Sequence, residues 1–225
     1  MTIHYHVTPV TPRSELLTIA GRHFLVSHRH PEDMETVDRI GQTVLLDNGA
    51  FTAWRSGNPV VDWTKYYEWT DRWLERPTTW AIIPDVIDGE DQEQDDLVKQ
   101  WPHGNRGAPV WHMGSSINRL LNLLDKWPRV CIGSSAQYAV IGTESWRRRM
   151  DFIWDQITHH HRRTPWLHGL RMMAQVRGPY PFASVDSSDI ARNHHRPQNT
   201  AFEMAQRWDA IQCNPTFSEV QECLF

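Results

Sequence analysis

The amino-acid sequence predicts an α/β protein, a single (β/α)8 TIM-like barrel that occupies residues 1–225. Apolar segments of about four to eight residues alternate with longer segments of helical periodicity, and no linker-like stretch separates them. This alternation is typical of a parallel sheet covered by helices, and α/β barrels often reach this length as one domain. A barrel that is incomplete or decorated, or an open doubly wound sheet, would fit the same pattern.

Seven apolar segments are predicted to be strands, and a further strand at residues 3–7 would complete the eight of a closed barrel. The predicted strand at residues 43–47 shows a design that recurs in the chain. Its apolar run ends in Asp47, and a turn that contains Gly49 follows. Four other segments, at residues 80–85, 108–114, 129–135 and 182–189, repeat this design with different polar residues at their ends. The seven predicted strands comprise residues 23–27, 43–47, 80–85, 108–112, 129–132, 167–172 and 182–186.

Six segments with helical periodicity lie between these strands. Pro31 followed by two acidic residues is typical of a first helical turn, and Ser115 or Ser116 can cap the helix that carries Leu120 and Leu124. Helices at these places would cover the outside of the sheet. The predicted helices comprise residues 31–40, 62–75, 91–100, 116–126, 144–160 and 201–211.

Composition excludes several classes of protein. No apolar run reaches the roughly 18 residues of a membrane span, and residues 1–6 do not resemble a signal peptide. Cys131, Cys213 and Cys223 form no Cys-x-x-Cys pair, which argues against a disulfide framework or an all-cysteine zinc site. No glycine-rich phosphate loop follows any predicted strand, so a nucleotide cofactor is not expected.

The net charge is −4, so any polyanion-binding surface must be local. Arginines and histidines are concentrated near the predicted helix 144–160, where they either form one positive face for phosphate groups or a solvated helix surface. The residues concerned are Arg147, Arg148, Arg149, Arg162 and Arg163, together with His159, His160 and His161.

Three carboxylates, Asp47, Asp85 and Asp186, end three separate predicted strands. The carboxyl ends of barrel strands meet at one mouth, so closure would bring these acids together. One carboxylate can attack an anomeric carbon while a second transfers protons. The third can accept hydrogen bonds from the N–H groups of a purine-like base. Alternatively, each acid merely caps the helix that follows it.

These residues resemble motifs of the tRNA-guanine transglycosylases. Residues 46–51, which contain Asp47 and Phe51, resemble the Asp-Ser-Gly-Gly-Phe motif whose aspartate is the proposed general acid/base. The resemblance implies that Asp85 reads the guanine edge and that His112 lies on a strand that contacts the base. It further implies that a backbone amide of the loop with Gly133 and Ser134 binds the purine O6, and that Met172 packs on the base plane.

The last predicted strand offers two candidates for the family's nucleophilic aspartate, Asp186 and Asp189. We favour Asp186, because the family has an arginine six residues after its nucleophile and Arg192 stands at that spacing. Residues 179–188 also resemble the phage and bacterial DNA-directed relatives. Arg192 and Arg196, with Arg147 and Arg148, would then hold the phosphates of the nucleic acid.

Two departures from the family concern the substrate. The sequence lacks the zinc-binding Cys/His subdomain of the tRNA enzymes, and His112 and Ser134 stand where the family has glutamine and glycine. The resemblance therefore implies replacement of guanine in DNA by a 7-deazaguanine derivative such as the 7-cyano form, through a covalent aspartyl-sugar intermediate. The expected partners are DNA and the free base, in the cytoplasm or in the host cytoplasm if a phage encodes the protein. No metal or other cofactor is expected.

Other functions fit parts of the sequence. A tRNA-directed guanine transglycosylase is one alternative. A metal-dependent amidohydrolase is another, because His4, His6, His112, His168 and Asp186 approximate its ligand set. A barrel that binds a purine without catalysis is the third, and a homodimer is compatible with all of them.

Overall fold

The strands of the protein form a nearly closed parallel barrel, as the sequence predicts. A computed structural model describes residues 1–217 and contains, within that range, nine strands and nine α-helices. The strands are β1 (Ile3–Val7), β2 (His23–Ser27), β3 (Thr43–Asp47), β4 (Thr79–Ile82), β5 (Gly107–Ala108), β6 (Val110–His112), β7 (Val130–Gly133), β8 (Leu167–Gly169) and β9 (Ser184–Ser187).

The helices cover the outside of this barrel and mostly follow the strands one by one. They are α1 (Arg13–Thr18), α2 (Met34–Ile40), α3 (Ala50–Arg55), α4 (Thr64–Trp73), α5 (Asp91–Gln100), α6 (Ile117–Lys126), α7 (Glu144–His160), α8 (Asp189–Asn193) and α9 (Ala201–Asp209). The six predicted helices correspond to α2, α4, α5, α6, α7 and α9. The helices α1, α3 and α8 are additional.

The strand order is β5-β4-β3-β2-β1-β9-β8-β7-β6, and every neighbouring pair is parallel. The two ends of this order, β5 and β6, are consecutive in the chain and are separated only by Pro109. Ala108 accepts a hydrogen bond from Ile83 beside β4 (2.9 Å), whereas Pro109 accepts one from Cys131 of β7 (2.9 Å). Residues 107–112 therefore fill one strand position, and the nine strands occupy the eight positions of the predicted barrel.

Some strands end earlier than the sequence predicts. The predicted strand 80–85 ends at Ile82, before Pro84, because proline has no N–H group for a sheet ladder. The predicted strand 167–172 ends at Gly169, and Arg171 adopts a left-handed φ of 59° that no strand residue adopts. The first strand is confirmed at Ile3–Val7, where it pairs with both β2 and β9.

Side chains alternate between the barrel interior and the helix layer. On β3, Leu45 belongs to the interior cluster, whereas Val44 and Leu46 pack beneath the helices. Tyr5, Trp80 and His168 fill the interior, their ring centroids 5.6–5.8 Å apart in edge-to-face contacts. Because Asp47 lies two residues beyond Leu45, the same alternation turns its carboxyl group toward the mouth of the barrel.

Within residues 1–217, no helix is both long enough and apolar enough to cross a membrane. Cys131 and Cys213 are free thiols in this part of the chain. The third cysteine, Cys223, lies outside the described residues.

Candidate functional site

A cavity of about 620 Å³ opens at the carboxyl ends of the strands and contains all three predicted acids, Asp47, Asp85 and Asp186. They come from β3, from the loop after β4 and from β9, three positions that barrel closure brings together. Phe51, His112, Gly133, Ser134 and Arg192 also line this cavity. The arrangement gathers acids that are far apart in the sequence around one space.

Asp186 is oriented through one of its two oxygens. Its Oδ1 accepts a hydrogen bond from the backbone N–H of Arg171 (2.8 Å) and lies 3.2 Å from Nε2 of His168. His168 is itself fixed by a 2.9 Å contact between its Nδ1 and the hydroxyl of Ser184. Oδ2 of Asp186 has no hydrogen-bond partner among residues 1–217, so this oxygen is available to a ligand in the cavity.

Asp189, the other candidate for the nucleophile, is held elsewhere. Its Oδ1 accepts a hydrogen bond from Asn193 within α8 (2.6 Å), and its Oδ2 accepts one from the indole N–H of Trp208 (2.9 Å), which joins α8 to α9. It does not line the cavity. The contacts of Asp189 are those of a residue that stabilises helix packing.

Asp47 is the last residue of β3, and Gly49 before α3 adopts a left-handed φ of 76°. The backbone N–H of Gly49 donates to Oδ2 of Asp47 (3.2 Å). Burial of the carboxyl group, together with the negative charges of Asp186 and Asp85, raises the pKa of Asp47 from 3.8 to about 7, against the opposing effect of the Ser27 hydroxyl. A carboxyl group with this pKa can both hold and release a proton near neutral pH.

Asn48 holds Asp85 in place, and the neighbouring His112 has ring nitrogens without a hydrogen-bond partner among the described residues. The side-chain amide of Asn48 donates to Asp85 Oδ1 (2.8 Å) and to the carbonyl of Ile83 (2.9 Å). Nε2 of His112 lies 3.0 Å from Asp85 Oδ2 but outside hydrogen-bond geometry, and both ring nitrogens of His112 are buried without a partner among the described residues. Buried polar atoms of this kind usually have partners, so these nitrogens favour a polar ligand in the cavity.

Arg171 is a site residue that the sequence did not identify. Its guanidinium lies over the ring of Phe51, 3.5 Å from the centroid, and it lines the cavity. Burial lowers the pKa of Arg171, whereas the neighbouring Asp186, Asp47 and Asp85 raise it. The cavity therefore combines three acids with three arginines, Arg55, Arg171 and Arg192.

The remaining predicted base contacts are divided between the cavity and the core. Gly133 and Ser134 line the cavity, and the hydroxyl of Ser134 accepts a hydrogen bond from Trp146 (2.9 Å). Met172 is fully buried in the helix-side core and does not line the cavity. Leu170 and Arg171 occupy the wall at this point, because the strand ends before Met172.

The arginines do not form one surface. Arg192 lines the cavity, and Arg196 is exposed beyond α8. Arg147 and Arg148 lie at the start of α7, near the barrel mouth, whereas Arg162 and Arg163 follow its end. The 17 residues of this helix separate the two pairs by roughly 25 Å. Of the two alternatives for this segment, a single positive face that contains both pairs therefore does not fit the structure.

The histidines of the amidohydrolase alternative are also divided. On β1, His4 and His6 alternate with Tyr5, which points into the barrel interior. Both histidines therefore face α9, where Nε2 of His6 lies 3.1 Å from Asp209 Oδ1. Nδ1 of His4 lies 3.9 Å from the same oxygen. These two histidines therefore contact the helix layer and not the cavity that contains Asp186.

Comparison of the chain with protein-family models, with curated proteins and with solved structures gave no match. The fold and the site thus define the protein as an α/β barrel with a three-acid cavity at the carboxyl ends of its strands.

Proposed function

We propose that the protein is a base-exchange transglycosylase that replaces guanine in DNA with a 7-deazaguanine derivative. The observation that carries this proposal is the arrangement of Asp186, which is oriented through Oδ1 while Oδ2 is available to a ligand, beside Asp47, whose pKa is about 7. A nucleophile next to a proton-transfer group is the pairing that glycosyl transfer requires.

In the first step, Oδ2 of Asp186 attacks C1′ of the deoxyribose. The bond between C1′ and the guanine nitrogen breaks, and its electron pair leaves with the base. Protonated Asp47 supplies a proton to the departing guanine, for which its raised pKa suits it. The sugar is then joined to Asp186 as an ester-like intermediate.

In the second step, a free 7-deazaguanine base takes the place of guanine. Asp47, now ionised, accepts the proton from the ring nitrogen of the incoming base. That nitrogen attacks C1′, and the bond between C1′ and Asp186 breaks, which restores both carboxyl groups. The exchange is balanced without an external oxidant, reductant or nucleotide.

Base recognition is assigned to Asp85 and His112. An ionised Asp85 can accept the N1–H and the exocyclic amine of guanine, and Asn48 holds it in place by a 2.8 Å hydrogen bond. The unpartnered nitrogens of His112 offer further polar contacts. The cavity volume of about 620 Å³ lies within the usual range for small-ligand sites and leaves room for a nucleoside.

DNA is the preferred polymer in this proposal, since the chain resembles the DNA-directed relatives. Turning a guanine out of the stack costs a few kcal/mol. Arg192 lines the cavity and Arg147 and Arg148 lie on the same side of the barrel, so phosphate contacts there can offset part of this cost.

Exchange of a labelled base tests the proposal. The protein is incubated with guanine-containing DNA and with tRNA in parallel, each with labelled 7-cyano-7-deazaguanine. We expect label in DNA, a loss of at least about 10⁴-fold in Asp186→Asn, and retained exchange in the matched control Asp189→Asn. Label in tRNA alone would show the alternative polymer, and DNA binding without label in either polymer would contradict an enzyme of this class.

A further inference from the structure

A cluster of two histidines and one aspartate lies outside the cavity, at the ends of α6 and α7. Asp125 is the last residue but one of α6, His160 ends α7, and His161 follows it. Both helices run back from the mouth, so the cluster lies at the amino ends of the strands, on the opposite side of the barrel. Nothing in the proposed base exchange uses these residues.

One ligand atom from each of the three residues lies within 4.8 Å of the others. Nε2 of His160 is 3.1 Å and 3.2 Å from the two oxygens of Asp125, and Nε2 of His161 is 3.9 Å from Oδ1. The three atoms therefore surround a common point, to which imidazole nitrogen and carboxylate oxygen could both bind. This is a ligand set that suits a tetrahedral transition-metal ion with one open position.

A proton shared between His160 and Asp125 would explain only part of this geometry. Nε2 of His161 is buried and has no hydrogen-bond partner among residues 1–217, although it faces the same carboxylate. A buried nitrogen without a partner is unfavourable. One cation at the centre of the cluster would give a partner to all three groups.

Two features of the surroundings favour a cation. In the part of the chain that the structure describes, Asp125 has ion pairs only with His160 and His161, so no lysine or arginine neutralises it. The carboxyl-terminal ends of α6 and α7 meet here, and the negative ends of the two helix dipoles attract positive charge.

We propose that Asp125, His160 and His161 bind one divalent transition-metal ion of the Zn²⁺ class. The ion would join the ends of α6 and α7 on the side of the barrel opposite the cavity. It has a structural role there and takes no part in base exchange.

Titration with Co²⁺ and Zn²⁺ tests this site in untagged protein. We expect one Co²⁺ per chain with the visible absorption of a tetrahedral site, displacement by Zn²⁺, and a higher melting temperature with Zn²⁺. Asp125→Asn and His160→Ala should each weaken Co²⁺ binding by at least about tenfold. Circular dichroism verifies that these surface variants are folded.

The neighbouring His159 supplies a matched control. Its ring is exposed and its Nδ1 lies 2.8 Å from the carbonyl of Asp155, so His159→Ala should bind Co²⁺ as the unmodified chain does. Absence of saturable binding by the unmodified chain would overturn the proposal. So would binding that survives in both ligand variants, or an equal loss in His159→Ala, which would assign the metal to the histidine run in general.

Discussion

The carboxyl group of Asp47 shows how one residue's surroundings change its chemistry. Its pKa is raised to about 7 because it is buried near two other acids. Between about pH 4 and pH 7 the folded protein keeps a proton that the unfolded chain releases. The contribution of Asp47 to stability therefore falls as pH rises through this window and stays at its lowest value above it.

Replacement of Asp47 by asparagine should remove this dependence. We expect Asp47→Asn to be more stable than the unmodified protein at pH 8, by on the order of 2 kcal/mol, because no buried charge has to form. The difference should shrink as pH falls toward 4, because the folded-state acid is then protonated and the unfolded-state acid is close to half protonated. Urea denaturation of both proteins at several pH values measures it, and a constant or reversed difference would contradict the raised pKa.

Sequence could identify the three acids but not the residues that orient them. Asp47, Asp85 and Asp186 stand out because each ends an apolar segment. His168 and Arg171 orient Asp186 from a different strand and its loop, and that contact depends on a left-handed φ at an arginine, for which no local signal exists. The family resemblance implies Met172 as the base contact, whereas the strand ends at Gly169 and Arg171 lines the cavity.

At the scale of single elements, the apolar pattern predicts the bounds of some strands, whereas β4, β8 and β9 begin or end at other residues than predicted. The strands β2 and β3 have their predicted bounds, and so do the long helices α5 and α7. The helices α1, α3 and α8 were missed because five or six residues are too few to show helical periodicity. Loop helices of this length lie at strand ends, where they shape the site.

The segment of β5 and β6 closes the barrel, and its fit depends on a glycine. A Cβ at Gly107 would come closest to Nε1 of Trp101 and would lie 2.6 Å from Cε2 of the same indole and 2.7 Å from Cγ1 of Ile83. We expect Gly107→Ala to reduce the free energy of unfolding by about 1–3 kcal/mol in urea denaturation. Gly114→Ala, whose nearest contact would be 3.3 Å from Ala136, is the control, and equal stability of the two variants would speak against tight closure.

Arginines lie near both ends of α7. Two double variants can therefore lose the same charge at different places on the barrel, which separates the effect of charge from the effect of its position. Replacing Arg147 and Arg148 by alanine should weaken DNA binding and lower the slope of log Kd against log salt by about 0.9 for each lost phosphate contact. Replacing Arg162 and Arg163 removes the same charge from the opposite side of the barrel. We expect this second double variant to keep the original slope, and an equal change in both would contradict a DNA surface at the mouth.

At the scale of the whole molecule, the parallel barrel places residues that are far apart in the sequence close together in space. Asp47 and Asp186 lie 139 residues apart in the chain, yet both face one cavity because every strand of the barrel ends at the same mouth. The fold class and the convergence of the acids followed from the alternation of segments. The separation of the two arginine pairs follows as well, because the predicted helix 144–160 places them at its opposite ends.

The central claim is that Asp186 forms a bond to the sugar, and trapping the intermediate tests it most directly. The protein is mixed with guanine-containing DNA without a free base, denatured, digested, and its DNA-linked peptide is sequenced by mass spectrometry. The account predicts a deoxyribose adduct on Asp186 that addition of 7-cyano-7-deazaguanine discharges. An adduct on Asp189 or another residue, or base exchange with no adduct at all, would contradict it.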